Sequence, residues 1–437
     1  MERAKLIVKN FGPLKDIDIE VREMVTFIGA QASGKSTLAK LLSIFEDENF
    51  RRDDLITFED ELKKYNIFSY LKPDTFILYD NVTKNVCLNH FKHENGISNK
   101  SGSTNWLNYT KEQKIDHDII SILKDYINYD LTFTIIKAEY FRKVLALFST
   151  NEKNKDLVDY LVSSRNKLAD ISIDKIFELG NIEKKAENYI SFYEIIINIL
   201  PEVYTFDSIY IPAERTFLHL IERNVMGLLK SGVNIPGHIL NIGNEYEKAI
   251  HTIKELPIKI IDKKTKYKRE GQKSYIYHNE NEKVDLLESA SGLQSVIPIL
   301  LLIEYSKSLK EEYNFNFVVE EPELNLYPKA QHELIKYLIK NCLIERKNLI
   351  ITTHSPFILA SINNLLLAHD KGQNNPKEVN KIIKKESWLN PKNFIAYELK
   401  NGKAKKIMND KLGQISENMI DGVSDAFANE FDKLLDL

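Results

Sequence analysis

Cysteine is nearly absent from this chain. There are two in 437 residues, Cys87 and Cys342, far apart and without metal-ligand spacing. A disulfide framework and a cysteine-held metal are therefore not expected, and a reducing, cytoplasmic setting is. Long hydrophobic runs are missing as well. No apolar stretch approaches the roughly 20 residues that span a bilayer, so no membrane is expected among the partners. The first residues, MERAKLIVKNFG, alternate like a strand and lack the apolar core of a signal peptide. Nor is charge of one sign in excess: 60 basic against 63 acidic residues leave a formal net charge of −3. Any contact with nucleic acid would have to be a local patch. No fixed-period repeat is visible.

Glycine is also sparse, at 16 residues, yet two fall close together in MVTFIGAQASGKST, Met24 to Thr37. Val25 to Ile28 reads as a buried strand, and LAKLLSIF as the helix that follows the turn. Gly29, Ala30, Gln31, Ala32, Ser33, Gly34, Lys35 and Ser36 match G-x-x-x-x-G-K-[ST], and Thr37 continues the motif into the helix. The glycines let backbone N–H groups curl around phosphate oxygens, and the helix start near Lys35 points its positive dipole end at the same anion. The spacing predicts a nucleotide as ligand, with Lys35 on its β- and γ-phosphates and Ser36 on Mg²⁺.

The rest of the chain reads as follows. Ala4 to Lys9 and Leu14 to Val21 alternate apolar and polar around a turn at Asn10-Phe11-Gly12-Pro13, which predicts a hairpin before the glycine-rich loop. Thr75 to Tyr79 and Asn85 to Phe91 read as a strand pair, and Glu94 to Asn105 as a polar loop. Between about Ile115 and Ile199, glycine and proline almost vanish, and helical spacing recurs at Ile119, Ile120, Leu123 and Ile127. This block is expected to be a helical insertion, with a strand at Leu131 to Ile136. It divides the chain into an N-terminal ATPase lobe (1–114), the insertion (115–200) and a C-terminal lobe (201–437). In the last of these, Ser208 to Ile211 reads as a strand and Phe217 to Leu256 as helix and loop. Ile258 to Lys268 and Lys273 to His278 read as a hairpin, and Val284 to Leu287 as a short strand. Val296 to Leu309 reads as an apolar helix, Lys329 to Glu345 as an amphipathic helix, Asn393 to Lys400 as a strand and Asp425 to Leu435 as a helix.

A nucleotide-hydrolysing site needs a second, acidic element. Phe315 to Val319 is a hydrophobic strand that delivers Glu320 and Glu321 at its end, where open α/β sheets place their ligands. Glu320 is expected to organise the metal and Glu321 to orient or deprotonate the attacking water. Leu349 to Ile351 is a further buried strand, and Thr352-Thr353-His354-Ser355-Pro356 follows it. That places His354 within reach of the γ-phosphate and of the water beside Glu321. Ser291-Gly292 opens a helix and reads as a second anion site, with Ser291 either an ordinary N-cap or a cap on phosphate bound by another copy.

These motifs, in this order, resemble the ABC-type ATPases: Walker A (GAQASGKS), a signature-like SASGLQS, Walker B (NFVVEEPELNLYP) and a switch histidine (TTHSP). NFGPL near the start, YIPAER at Tyr210 to Arg215, and EEPELNLYP resemble the RecF/SMC-like branch, above all the ATPase half of OLD-family proteins and their stand-alone relatives. The resemblance implies an α/β fold, an ABC-type P-loop ATPase head with a mixed sheet and an N-terminal antiparallel β subdomain. It implies ATP hydrolysis and an ATP sandwich of two heads, hence a homodimer or higher homo-oligomer. Asn10 and Phe11 would then join the nucleotide-binding set, and Ser289, Ser291, Gly292 and Gln294 would be offered in trans as the signature. It further implies anti-phage defence or DNA maintenance. Leu293 stands where the family carries a second glycine, and Glu320 where aspartate is usual; Gln113 is the candidate glutamine loop. OLD nucleases carry a C-terminal Toprim domain, and too few residues follow His354 to build one. The expected role is therefore a switch that controls a separate effector, a nuclease or toxin. The alternatives are the motor subunit of a repair or nuclease complex, or the nucleotide-binding subunit of a transporter. Glu214-Arg215 reads as an internal ion pair or a sensor near the nucleotide. Lys263, Lys264, Lys266, Lys268 and Arg269 form a basic hairpin, either a solvated face or a contact for a phosphate backbone.

Overall fold

The computed structural model describes residues 4–47, 56–83, 86–94, 109–112, 207–220, 230–309, 315–343 and 348–435, with the single positions 50, 222 and 227. The expected helical insertion, the strand expected within it, Gln113 and all of the expected loop but Glu94, which ends β5, lie outside the described residues.

The chain opens as its alternation predicts. β1 (Ala4–Phe11) and β2 (Leu14–Val21) pair antiparallel and lead into β3 (Met24–Gly29), every residue of which is buried. β4 (Phe76–Thr83), β5 (Val86–Glu94) and β6 (Tyr109–Glu112) extend the antiparallel part on the far side of β1. β7 (Asp207–Ile211) comes next, and then β8 (Glu255–Pro257), β9 (Lys266–Glu270), β10 (Lys273–Tyr277) and β11 (Lys283–Asp285), which form a separate four-stranded sheet. β12 (Phe315–Glu320), β13 (Leu349–Thr353), β14 (Phe394–Lys400) and β15 (Lys403–Lys406) return to the main sheet. Among the described residues, that sheet has eleven strands in the order β6-β5-β4-β1-β2-β15-β14-β3-β13-β12-β7. β14, β3, β13, β12 and β7 run parallel. The fold is thus α/β with a mixed sheet, antiparallel over the half built from the N-terminal strands and parallel over the half from β14 to the edge strand β7.

Both faces of the parallel part are covered, so its strands read as unbroken apolar runs rather than alternating ones. Met24, Ile28, Phe317, Val319, Leu349 and Ile351 point into one core, and Val25, Phe27, Val318 and Ile350 into the other. Helix Lys35–Glu46 covers the second face through Leu38, Leu41, Leu42 and Phe45. Helices Gly237–Thr252, Ser291–Ser308, Pro328–Cys342 and Pro356–Asn374 contribute to the first.

Several boundaries depart from expectation: β11 ends at Asp285 and Leu286–Glu288 is a helical turn rather than strand, Glu94 belongs to β5 rather than to the polar loop, and the last helix begins at Met419 rather than Asp425. The stretch from Ile258 to Thr265 is turn, not strand, so the hairpin's first strand is β9 alone, with β8 paired outside it. Ser291 is the first helical residue; the N-cap is Ala290, with no side-chain cap. Helix Pro356–Asn374 falls in a stretch read only as a tail. Its start is signalled by Ser355, whose side chain accepts from the Phe357 N–H, and by Pro356 in the first turn. Among the described residues, no helix is long and apolar enough to cross a membrane.

Candidate nucleotide site

Register brings the predicted residues to one edge. Glu320 sits opposite Thr352, Thr353 opposite Ile28, and Gly29 opposite Leu399, so the C-terminal ends of β12, β13, β3 and β14 lie side by side. The loop Gly29–Gly34 turns at that edge on three positive φ angles: +154° at Gly29, +57° at Ala32 and +103° at Gly34. Such alternation curls successive N–H groups toward a common centre and forms an anion cradle. A Cβ at Gly29 would stand 2.6 Å from the Leu399 carbonyl oxygen and 2.7 Å from Ser33 Oγ. At Gly34 it would meet Leu14 Cδ2 at 2.5 Å, which shows the β1–β2 turn lying against the loop. Helix Lys35–Glu46 starts with no side-chain cap and no acidic residue in its first turn. Its leading N–H groups therefore remain for an outside anion.

Lys35 is only 5% exposed, and its Nζ donates to the Gly29 and Ala30 carbonyls at 2.9 Å each. Burial lowers its pKa, opposed by the nearby carboxylates of Glu321, Glu320 and Glu323. Glu320 is buried, and its Oε1 has no hydrogen-bond partner. Burial raises its pKa, while the Ser36 and Tyr210 hydroxyls beside it pull the other way. An orphaned, buried carboxylate oxygen next to a serine hydroxyl is a donor set that fits a hard divalent cation. Glu321 takes φ +40°, an uncommon conformation for a non-glycine residue of the kind that concentrates at functional sites. Its Oε1 lies 3.2 Å from His354 Nε2. The His354 pKa is lowered by burial and then by Lys35, and raised by Glu321.

The roles of three residues were not foreseen. Glu323 accepts from Thr353 Oγ1 at 2.7 Å and from the His354 N–H at 2.8 Å, so it fixes the histidine's backbone. Arg215 is fully buried, and its five N–H groups all go to oxygens other than the Glu214 carboxylate. The expected ion pair with Glu214 is replaced by bonds to main chain and Ser295, and burial lowers the Arg215 pKa to about 10. His219 follows from Pro298. A proline inside helix Ser291–Ser308 has no N–H for the carbonyl four residues back, that of Gln294. His219 Nε2 fills that gap at 2.7 Å, and its Nδ1 faces the Tyr246 hydroxyl at 2.9 Å. Proline in an apolar helix and histidine after YIPAER were both readable, but only together do they mean anything.

Of the remaining predicted residues, Phe11 is core, packed edge-on against Tyr70, and Asn10 donates to Asp74 at 2.8 Å. Ser291 is exposed at the helix start, and Gly292 lies so close to Asn325 that a Cβ would stand 2.6 Å from its carbonyl oxygen. Gln294 Nε2 donates to the Leu287 and Ser289 carbonyls at 2.9 Å, tying the preceding loop to the helix. Of the five predicted cations of the basic hairpin, Lys266 and Arg269 have close acidic partners, as does Lys283 nearby. Lys266 meets Glu255 at 2.9 Å, Lys283 meets Glu270 at 2.5 Å, and Arg269 meets Glu222 at 2.6 Å.

A phosphate cradle, a cation-ready carboxylate and a paired glutamate–histidine on one parallel sheet edge define a P-loop nucleotide hydrolase. The chain belongs to the AAA ATPase domain family, which it matches over residues 1–359, and it is an ATPase. No curated protein matches it. Among solved structures it is similar to the SMC head domain from Thermotoga maritima, at 11% identity and TM-score 0.37 over 93% of this chain and 98% of that one. A similar likeness is to the Smc head domain with an extended coiled coil from Pyrococcus furiosus, bound to the C-terminal domain of ScpA, at 12% identity and TM-score 0.35 over 92% and 95%. Another is to the recombination mediator protein RecF, at 13% identity and TM-score 0.32 over 93% and 99%.

His219 yields a pH prediction. Burial lowers its pKa from 6.5 to about 4. A depressed pKa contributes stability that is complete above the unfolded value and is lost as pH falls through the folded one. Between pH 6.5 and 4 the unfolded chain binds a proton that the folded chain refuses, on the order of 3 kcal/mol in all. Thermal melts of parental and His219→Gln protein across that window should converge toward low pH. Parallel losses in the two proteins would mean that His219 is not the group responsible.

Proposed function

We propose that this chain is an ABC-type ATPase head of the RecF/SMC-like branch, built as two lobes (1–114 and 201–437) interrupted by an insertion (115–200). In this reading it works as a switch that signals its nucleotide state to a separate effector, in anti-phage defence. The observation that carries the reading is the convergence of Gly29–Ser36, Glu320, Glu321 and His354 on one sheet edge. Lys35 would leave its two carbonyls for the β- and γ-phosphates. Ser36 and Glu320 would hold Mg²⁺, which when bound offsets charge on the phosphate oxygens. Glu321, held by His354, would orient the attacking water and take its proton. Ser289, Ser291, Gly292 and Gln294 would close the site of a second copy, so that two heads sandwich ATP. Lys266 and Arg269 of the hairpin already have acidic partners, which favours a protein effector over nucleic acid.

Helix Met419–Leu435 offers that effector a surface. Val423, Phe427, Phe431, Leu434 and Leu435 are 49–69% exposed on it, and a run of large exposed apolar side chains is how protein-binding faces look. The expected result is a host protein captured by Glu321→Gln protein with ATP, lost with Lys35→Ala, and lost again when Phe427→Asp and Phe431→Asp are added to Glu321→Gln. Nuclease activity intrinsic to the purified chain, and abolished by changing its own carboxylates, would sink the effector reading.

A further inference from the structure

The segment Pro212–His219 is bonded at once to the end of β12 and to the start of helix Ser291–Ser308. Arg215 Nη1 donates to the Glu320 carbonyl at 2.7 Å and the Pro212 carbonyl at 3.2 Å, and Nη2 donates to the Glu321 carbonyl at 2.8 Å. On its other side, Nε donates to the Ser295 carbonyl at 2.8 Å and Nη2 to Ser295 Oγ at 3.1 Å. His219 adds the Gln294 carbonyl, the one released by Pro298. A guanidinium is a rigid plane with five donors in a fixed fork, so its two sets of partners cannot move independently. The partners on one side are the carbonyls on both sides of the Cα–C bond of Glu321, whose φ of +40° needs outside support. Those on the other belong to the first two turns of the helix that begins with Ser291.

We propose that Arg215 is a positioning residue that couples Glu321 in a protomer's own site to the helix the same protomer offers in trans through Ser291. This rests on the two-head reading of the preceding section. One guanidinium therefore serves two sites: it holds Glu321 in its own and, through the helix, the end that Ser291 presents to the partner's. The coupling is carried by a contiguous, buried, fully bonded chain of groups rather than by spatial proximity alone.

The test uses mixed dimers with one intact site. Lys35→Ala mixed with Ser291→Arg gives a heterodimer in which one composite site carries both defects and the other neither. In one arm Arg215→Lys is added to the Ser291→Arg chain, which loosens Arg215 beside the working Glu321. In the other it is added to the Lys35→Ala chain, which loosens it behind the working Ser291 while leaving the working Glu321 untouched. Coupling predicts that kcat falls roughly tenfold in both arms while KM for ATP stays within about twofold, since the loss falls on the transition state. A fall in the first arm alone would show that Arg215 serves only its own glutamates, and would overturn the coupling. No activity in the starting mixture, with subunit exchange verified, would instead be a failure of the two-head reading. Should Arg215→Lys not fold, Ser295→Ala removes only the Oγ contact and is run in the same two arms. The expected fall is then roughly threefold in both arms, and no fall in either would overturn the proposal.

Discussion

Glu321→Gln is expected to bind ATP as the parental protein does and to turn it over more slowly by on the order of a hundredfold or more. The change replaces one oxygen by an NH₂ of the same shape, so the left-handed backbone at Glu321 and the bonds to its carbonyl and N–H persist. What is lost is the base. A carboxamide cannot take the proton of an attacking water, and the 3.2 Å contact to His354 loses its charge. Lys35→Ala acts earlier. It removes the cation seated within the cradle, where Nζ spans the Gly29 and Ala30 carbonyls. Binding should fall by on the order of a hundredfold, the size of a lost pair of charge-assisted hydrogen bonds. Equilibrium binding of a fluorescent ATP analogue and steady-state phosphate release separate the two effects. Parental turnover by Glu321→Gln would remove Glu321 from its assigned role.

The pieces of the site that sequence made legible are those whose physics is local. β3 and its loop were readable because a buried parallel strand needs an unbroken apolar run, and the turn after it needs glycine where φ is positive. Glu320, Glu321 and His354 were readable because each ends such a run. What was not legible depends on partners far along the chain. Arg215 is 80 residues from Ser295 and over 100 from Glu320 and Glu321. Nothing nearby says that it will turn from the adjacent Glu214 to carbonyl oxygens. The bond between His219 and Gln294 has the same character, since it exists only because Pro298 withholds an N–H. Ser291 shows the limit of a local rule. Serine is a favoured N-cap, yet Ala290 takes the extended cap geometry and Ser291 becomes the first helical residue, its side chain turned outward. Helix Pro356–Asn374 is the opposite case. Its Ser-Pro start and the spacing of Leu359, Ile362, Leu365 and Leu366 were local signals, overlooked beside the stronger motif that precedes them.

Ser291→Arg should abolish ATP hydrolysis in isolation, and mixing it with Lys35→Ala should restore part of it. Ser291 is exposed at a helix start whose close packing against Asn325, through Gly292, leaves that end facing outward. An exposed anion-attracting helix end on a protomer that already has its own cradle is best used on another copy's phosphate. In the proposed two-head arrangement arginine there is too large for a close approach, so neither composite site would close. Lys35→Ala homodimers fail for the separate reason that neither cradle holds ATP. In a heterodimer the two defects fall into the same composite site and the other is intact. Random exchange makes about half the dimers mixed, each with one working site, so about a quarter of parental activity should return. Exchange is followed by mass or by fluorescence energy transfer between labelled chains. Verified heterodimers that stay inactive would mean that Ser291 does not act across the two-fold.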